Sequence, residues 1–119
     1  MKLLDKINAY LKDYLVLANL SKSYAPLLRE LIENKNQNGH IFINSALKRV
    51  LSEKLDMAVG SIDNAITKFV EGGILIRIDR GMYIVNKDIV DLSNLKEGQN
   101  LTITINYSDN GREVKSIKQ

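Results

Sequence analysis

The chain has 119 residues, 45% apolar and 26% charged, with 17 Lys and Arg against 14 Asp and Glu. That length holds one compact domain, and the composition excludes disorder and fibrous architectures. With no cysteine and one histidine, His40, the sequence excludes disulfides, thiolate metal sites, cysteine nucleophiles and two-histidine metal centres, while its net charge of +3 permits a nucleic-acid partner without requiring one.

The start, Met1-Lys2-Leu3-Leu4-Asp5-Lys6, is too broken by charge for a signal peptide. No later run approaches the roughly 20 apolar residues of a membrane span. A cytoplasmic protein is expected. Residues 3–18 place Leu3, Leu4, Ile7, Tyr10, Leu11, Tyr14, Leu15 and Ala18 at helical spacing. The stripe is wide, so this helix either packs on its own domain or serves dimerisation. Ser23 is a candidate cap for a second helix, with Pro26 in the first turn and Leu27, Leu28, Leu31 and Ile32 as its buried face. Gly39 ends the polar loop that follows, and His40-Ile41-Phe42-Ile43 reads as a short strand.

Asn44 is an N-cap for a third helix with Leu47, Val50, Leu51 and Leu55 inside. A tight turn, Leu55-Asp56-Met57-Ala58, leads to a fourth helix, Val59–Glu71, burying Ile62, Ile66, Phe69 and Val70. Gly72-Gly73 stops it. Ile74–Ile78 and Met82–Val85 then form a hairpin across Asp79-Arg80-Gly81, with Gly81 left-handed. Leu92 and Leu95 are anchors in an otherwise polar stretch. Leu101, Ile103, Ile105 and Tyr107 alternate with polar residues, a strand signal, and Asp109-Asn110-Gly111 is an Asn-Gly type turn to a return strand at Arg112–Ile117.

From residue 24 the order is helix, strand, helix, tight turn, helix, hairpin. That is the order of a winged helix-turn-helix, which projects its second helix into the roughly 12 Å major groove of DNA. The predicted fold is α+β: an N-terminal helix at 1–22, a candidate dimerisation element; a winged helix-turn-helix domain at 23–90; and a C-terminal β-hairpin extension at 91–119. With the apolar residues of the fourth helix inside, Gly60, Ser61, Asn64, Thr67 and Lys68 turn outward. Asn64 can pair with an adenine edge, Ser61 with a base or phosphate, and Lys68 with phosphate. Arg77 and Arg80 lie on the wing, and Lys48, Arg49 and Lys54 on the preceding helix are candidate backbone contacts. Asp63 lies near the same face and would repel phosphate. Residues 1–39, 40–90 and 91–119 carry net charges of +2, +1 and 0. DNA binding by this chain must therefore use a few placed side chains and two copies, not bulk charge.

No enzyme is expected. The carboxylates are scattered with no convergent pair, no Gly-x-Gly-x-x-Gly or P-loop occurs, and no cofactor or metal is implied.

The runs Ser61-Ile62-Asp63-Asn64-Ala65-Ile66-Thr67-Lys68-Phe69-Val70, Gly73-Ile74-Leu75-Ile76-Arg77 and Gly81-Met82-Tyr83-Ile84-Val85-Asn86 resemble the RepL family of Firmicute plasmid replication proteins. Tyr107-Ser108-Asp109-Asn110-Gly111-Arg112 looks like a strand and turn near that family's end, so the likeness covers roughly residues 24–112. It implies plasmid replication or maintenance through a winged helix, with Ser61, Asn64 and Lys68 on the recognition helix and Arg77 and Arg80 on the wing. The turn departs from the common Leu-Gly-Ile-Ser: Asp56 stands at the glycine and Ala58 at the capping serine. Lys87 replaces the usual proline after the wing asparagine, and tryptophan, frequent beyond the family's wing, is absent.

The expected function is sequence-specific binding of double-stranded DNA in replication initiation or maintenance, by a homodimer and with host replication proteins as further candidate partners. The alternatives are a winged-helix transcriptional regulator and a protein-interaction module that recruits a replication partner.

Overall fold

A computed structural model describes residues 1–119. Its helices are α1 (Leu3–Leu17), α2 (Ala25–Glu33), α3 (Ser45–Leu55) and α4 (Val59–Glu71). Its strands are β1 (Ile41–Phe42), β2 (Leu75–Asp79), β3 (Met82–Val85), β4 (Leu101–Ser108) and β5 (Gly111–Lys118). Short 3-10 turns occupy Lys22–Tyr24 and Leu92–Asn94. β1, β3 and β2 form an antiparallel sheet in that order, and β4 and β5 form a separate ribbon. Element order and pairing match a winged helix-turn-helix flanked by an extra N-terminal helix and a C-terminal hairpin. No helix is long and apolar enough to cross a membrane.

Local chemistry sets the boundaries. Ser21, not Ser23, does the capping near α2: its hydroxyl accepts from the Ser23 amide and starts the 3-10 turn, and α2 begins two residues after Ser23 with Pro26 in its first turn. The backbone tightens before it becomes α-helical, which displaces the cap. Asn44 caps α3 by accepting from the Leu47 amide at 2.8 Å. Val50 is 57% exposed on α3 rather than buried; Leu51 alone is fully inside, with Leu47 and Leu55 packed at the edge. α3 packs against α2 and α4, and Val50 lies outside those contacts, so the stripe is narrower than its spacing predicts. The strand expected from His40 pairs only at Ile41 and Phe42, against Tyr83 and Met82. In the C-terminal hairpin Ser108 pairs with Gly111, so the loop is Asp109-Asn110 and Gly111 opens the strand at φ +107°, one residue out of step with an Asn-Gly loop.

One core of 21 buried apolar residues draws on all three stretches of the chain. Tyr10, Leu11, Tyr14 and Leu15 of α1, Leu27, Leu28 and Leu31 of α2, Ile62 and Phe69 of α4, and Ile89, Leu92 and Leu95 beyond the wing share it. Each buried leucine stabilises by roughly 1.5–3 kcal/mol before chain entropy is counted. α1 thus spends its main apolar face on its own fold, leaving Leu4 and Val16 exposed.

A chain of hydrogen bonds fixes the hairpin to this core. The Val90 amide donates to the Tyr10 hydroxyl, which donates to Ser116, whose hydroxyl donates to the Asp88 carbonyl. Arg112 donates to the Leu17 carbonyl at the end of α1, and Lys6 to the Gln99 carbonyl near its start. The linking segment is held by Asp91, which accepts from Lys35 and from the Ser93 amide; those bonds hold its carboxyl down at about 2.

Tyr10→Phe deletes the Tyr10 link of the Val90–Tyr10–Ser116–Asp88 chain and strands the Val90 amide. It should cost about 1–2 kcal/mol of stability, read by thermal or urea unfolding. Tyr14 is pushed up to about 12, by burial first and then by Tyr10 and Asp88. Its folded pKa lies above the unfolded value, so the stability it contributes is complete below pH ~10 and lost as pH rises toward 12. Urea midpoints measured from pH 9 to 12 should fall, and Tyr14→Phe should flatten that fall.

Candidate nucleic-acid interface

The helix-turn-helix is built by a turn that leaves the start of α4 bare. Asp56 ends α3 with φ +52°, a left-handed conformation, and the Ser52 hydroxyl and carbonyl bind the Met57 carbonyl and amide. Ala58, at the N-cap of α4, offers no side-chain acceptor. Ser61 and Ile62 donate to the Ala58 carbonyl, while the amides of Val59 and Gly60 have no partner in the chain. Val59, Gly60 and Ser61 are all exposed, and a Cβ at Gly60 would meet nothing within 4 Å. Unpaired amides at a helix start carry partial positive charge and can donate to an anionic oxygen.

Along α4, Ile62, Ala65, Ile66 and Phe69 are buried and Val70 is half-buried. Gly60, Ser61, Asn64, Thr67 and Lys68 are exposed, as the spacing predicts. They are not equivalent. Ser61 and Asn64 make no side-chain hydrogen bond within the chain and remain free to read a partner, whereas Thr67 bonds back to the Asp63 carbonyl at 3.1 Å. Lys68 sits 5.8 Å from the centre of the Tyr24 ring, a cation–π contact that draws it toward the start of α2. Tyr24 in turn packs edge-on against Phe69.

The supporting cations divide in the same way. Lys48 pairs with Asp63 at 2.7 Å, joining α3 to α4. That pair neutralises Asp63, the exposed acid in the first half of α4, and removes Lys48 from the free cations; Glu71 at the end of α4 is exposed and unpaired. Lys54 pairs at 3.0 Å with Glu30, the only buried charged residue. Arg49 and Arg80 are exposed, and neither guanidinium has an ion-pair or hydrogen-bond partner, although the Arg80 amide donates to the Asp79 carboxylate at 2.7 Å. Arg77 is exposed, and its Nε–H leans 3.4 Å from the Asp79 carbonyl.

The wing is short and folded back. Ile43 donates to the Gly81 carbonyl at 2.9 Å, and a Cβ at Gly81, whose φ is +70°, would lie 3.3 Å from the Ile43 carbonyl. The turn carrying Arg80 therefore lies beside the residue that precedes Asn44, at the entry to α3. A register shift between Arg77 and Asp79 twists the strand just before that turn. The structure thus joins Lys48 to α4 and brings Arg80 to the α3 entry. It ties Lys54 and Lys68 to α2 and the turn before it. The Tyr24 partner of Lys68 and the Asp63 partner of Lys48 gave no signal in the linear pattern.

The family model of the Firmicute plasmid replication protein (RepL) matches residues 10–119. The chain belongs to the RepL family. No curated protein and no solved structure matches it. The RepL match begins at Tyr10 in α1 and takes in the helix-turn-helix, the wing and the whole C-terminal hairpin. It thus covers the parts joined by the Tyr10 hydrogen bonds as well as the stretch around α4.

The turn makes a stability test. Asp56 pays a left-handed penalty that glycine would escape, partly offset by the entropy glycine loses on folding. Asp56→Gly should stabilise the chain by up to about 1 kcal/mol, seen as a higher Tm with an unchanged circular dichroism spectrum.

Proposed function

We propose that this RepL-family chain binds double-stranded DNA sequence-specifically, at a plasmid origin or maintenance site in the cytoplasm, through the outward face of α4. The observation that carries this reading is the bare start of α4. Two unpaired amides, at Val59 and Gly60, stand beside two uncommitted polar side chains, Ser61 and Asn64, on an exposed helix face. A phosphate on the amides fixes register, and Asn64 then reads a base edge in the major groove with paired donor and acceptor atoms. Arg49 and Arg80 supply the uncommitted backbone cations. Thr67 and Arg77 stand at the margin, and Lys48 acts indirectly by cancelling Asp63. Two copies would read two half-sites and double a modest set of contacts. The reading needs no cofactor, metal or chemical step.

A second reading, recruitment of a host replication protein, has its own support. Phe42 and Ile76 are exposed, and their cross-strand partners Met82 and Ile84 set all four on one face of the sheet. The two readings use different surfaces and are separable by mutation.

Fluorescence anisotropy with duplexes from the plasmid that carries the gene tests the first reading. Binding should weaken with added salt, through counterion release. Asn64→Ala should cost about 1–3 kcal/mol against the preferred duplex and little against others, which relaxes specificity. Arg80→Ala should weaken all duplexes alike. Equal affinity for every duplex with no response to Asn64→Ala would remove the claim. Wild-type binding to a host protein that is lost in Phe42→Ser, with no wild-type DNA retention at low salt, would favour the second reading.

A further inference from the structure

The C-terminal ribbon has an open edge. Asn100 and Gln119 exchange both backbone hydrogen bonds, at 2.8 and 2.9 Å. The alternation of an antiparallel ladder then turns the backbones of Thr102, Thr104, Asn106 and Ser108 toward β5, and those of Leu101, Ile103, Ile105 and Tyr107 away from it. The amides and carbonyls of these last four residues have no partner in the chain. Exposed edges are ordinarily guarded by lysine, proline or a bulge. β4 has none of these: it runs eight residues without a charge or a proline and pairs in unbroken register.

β5 is different. It carries Arg112, Glu113, Lys115 and Lys118. Arg112, Ser116 and Lys118 bond the carbonyls of Leu17, Asp88 and Asp91, which commits that strand's side chains to the body of the protein. Paired with itself about Lys115, β5 would also set Arg112 opposite Lys118 of a second copy, a like-charge contact.

We propose that β4 is the dimer interface, pairing antiparallel with β4 of a second copy to make a continuous four-stranded sheet. The proposal rests on the two-copy part of the function proposed above and names its surface. Charge selects the occupant. A two-fold axis through Thr104 sets Leu101 against Tyr107 of the second copy, and Ile103 against its Ile105. No charged residue meets another, and every open edge group finds a partner. Shape agrees with charge. Two grooves of about 250 and 290 Å³ lie between α1 and β4, walled by Ala9, Asp13, Val16, Leu17, Ile103 and Ile105 among others, and no β5 residue lines either. Lined by α1 and β4 and not by β5, they lie where the incoming Ile103, Ile105 and Tyr107 would project. Tyr107, 75% exposed in the single chain, would cover Leu101 of its partner. The contact is isologous and closes at two copies.

On the axis, Thr104 faces Thr104 of the second copy as a non-hydrogen-bonded pair, with Cα atoms about 4.5 Å apart. That spacing suits a disulfide, and the chain has no cysteine to confuse the result. The full-length chain should sediment as a dimer. Mild oxidation should cross-link Thr104→Cys into a covalent dimer far more than Thr102→Cys, whose counterpart across the axis is Asn106. Thr104→Lys should sediment as a monomer while keeping its Tm and circular dichroism spectrum. A wild-type monomer at high micromolar concentration, a Thr104→Lys dimer, or cross-linking equal at positions 102 and 104 would each overturn the proposal. DNA binding is read separately: a monomer that still selects its duplex defeats the β4 interface and leaves the α4 reading standing. A β4 dimer that ignores DNA does the reverse.

Discussion

The Tyr10 hydroxyl is the point on which three regions of the chain close. It accepts from Val90 just past the wing and donates to Ser116 on β5, which passes on to Asp88. Its ring lies in the same core as Leu11, Leu15, Leu28 and Phe69. A buried phenol left without partners would cost more than it contributes, so the hydrogen bonds and the apolar packing require each other. Because they do, α1 cannot dock without fixing the hairpin, and the segment from Asn86 to Asp91 cannot wander without breaking both. The RepL match begins at this tyrosine.

That constraint holds two separate surfaces of the molecule in place. The hairpin is held rigidly on α1 with β4 outward, and α4 is held by Ile62, Ala65, Ile66 and Phe69 with its bare start outward. Between them lies a surface with few free cations. Lys48 is spent on Asp63, Lys54 on Glu30 and Lys68 on Tyr24. Exposed ion pairs contribute little stability, about 0–1 kcal/mol. Their effect here is on the surface: they remove diffuse positive charge from the helix-turn-helix and leave Ser61 and Asn64 as exposed polar side chains without a partner in the chain. On the proposed DNA-binding reading, a chain with net +3 would gain specificity relative to bulk attraction in this way.

The sequence disclosed the elements whose signals are local. The 3.6-residue spacing in α4, the strict alternation in β4, the Asn44 cap and the glycine at the wing turn all depend on neighbours within a few residues. Misreadings occurred where a neighbour in space decides. Val50 sits at a helical core position yet faces solvent, because burial on α3 depends on where α2 and α4 lie. Ser23 has the right chemistry for a cap, but Ser21 already holds its amide in a 3-10 turn. At the site, the outward set Gly60, Ser61, Asn64, Thr67 and Lys68 was legible. Which of them is free was not, since Lys68 is claimed by Tyr24, 44 positions earlier, and Asp63 by Lys48 of another helix. The Tyr10–Ser116 bond spans 106 positions and has no periodic trace.

Amide chemical-shift mapping of the isotope-labelled chain during titration with its plasmid duplex tests the central claim most directly. The account expects the largest shifts at Val59, Gly60 and Ser61, with smaller ones at Asn64, Arg49 and Arg80, and an undisturbed core at Tyr10 and Val90. Shifts confined to the C-terminal ribbon or to the Phe42–Ile76 face, with the start of α4 silent, would contradict it.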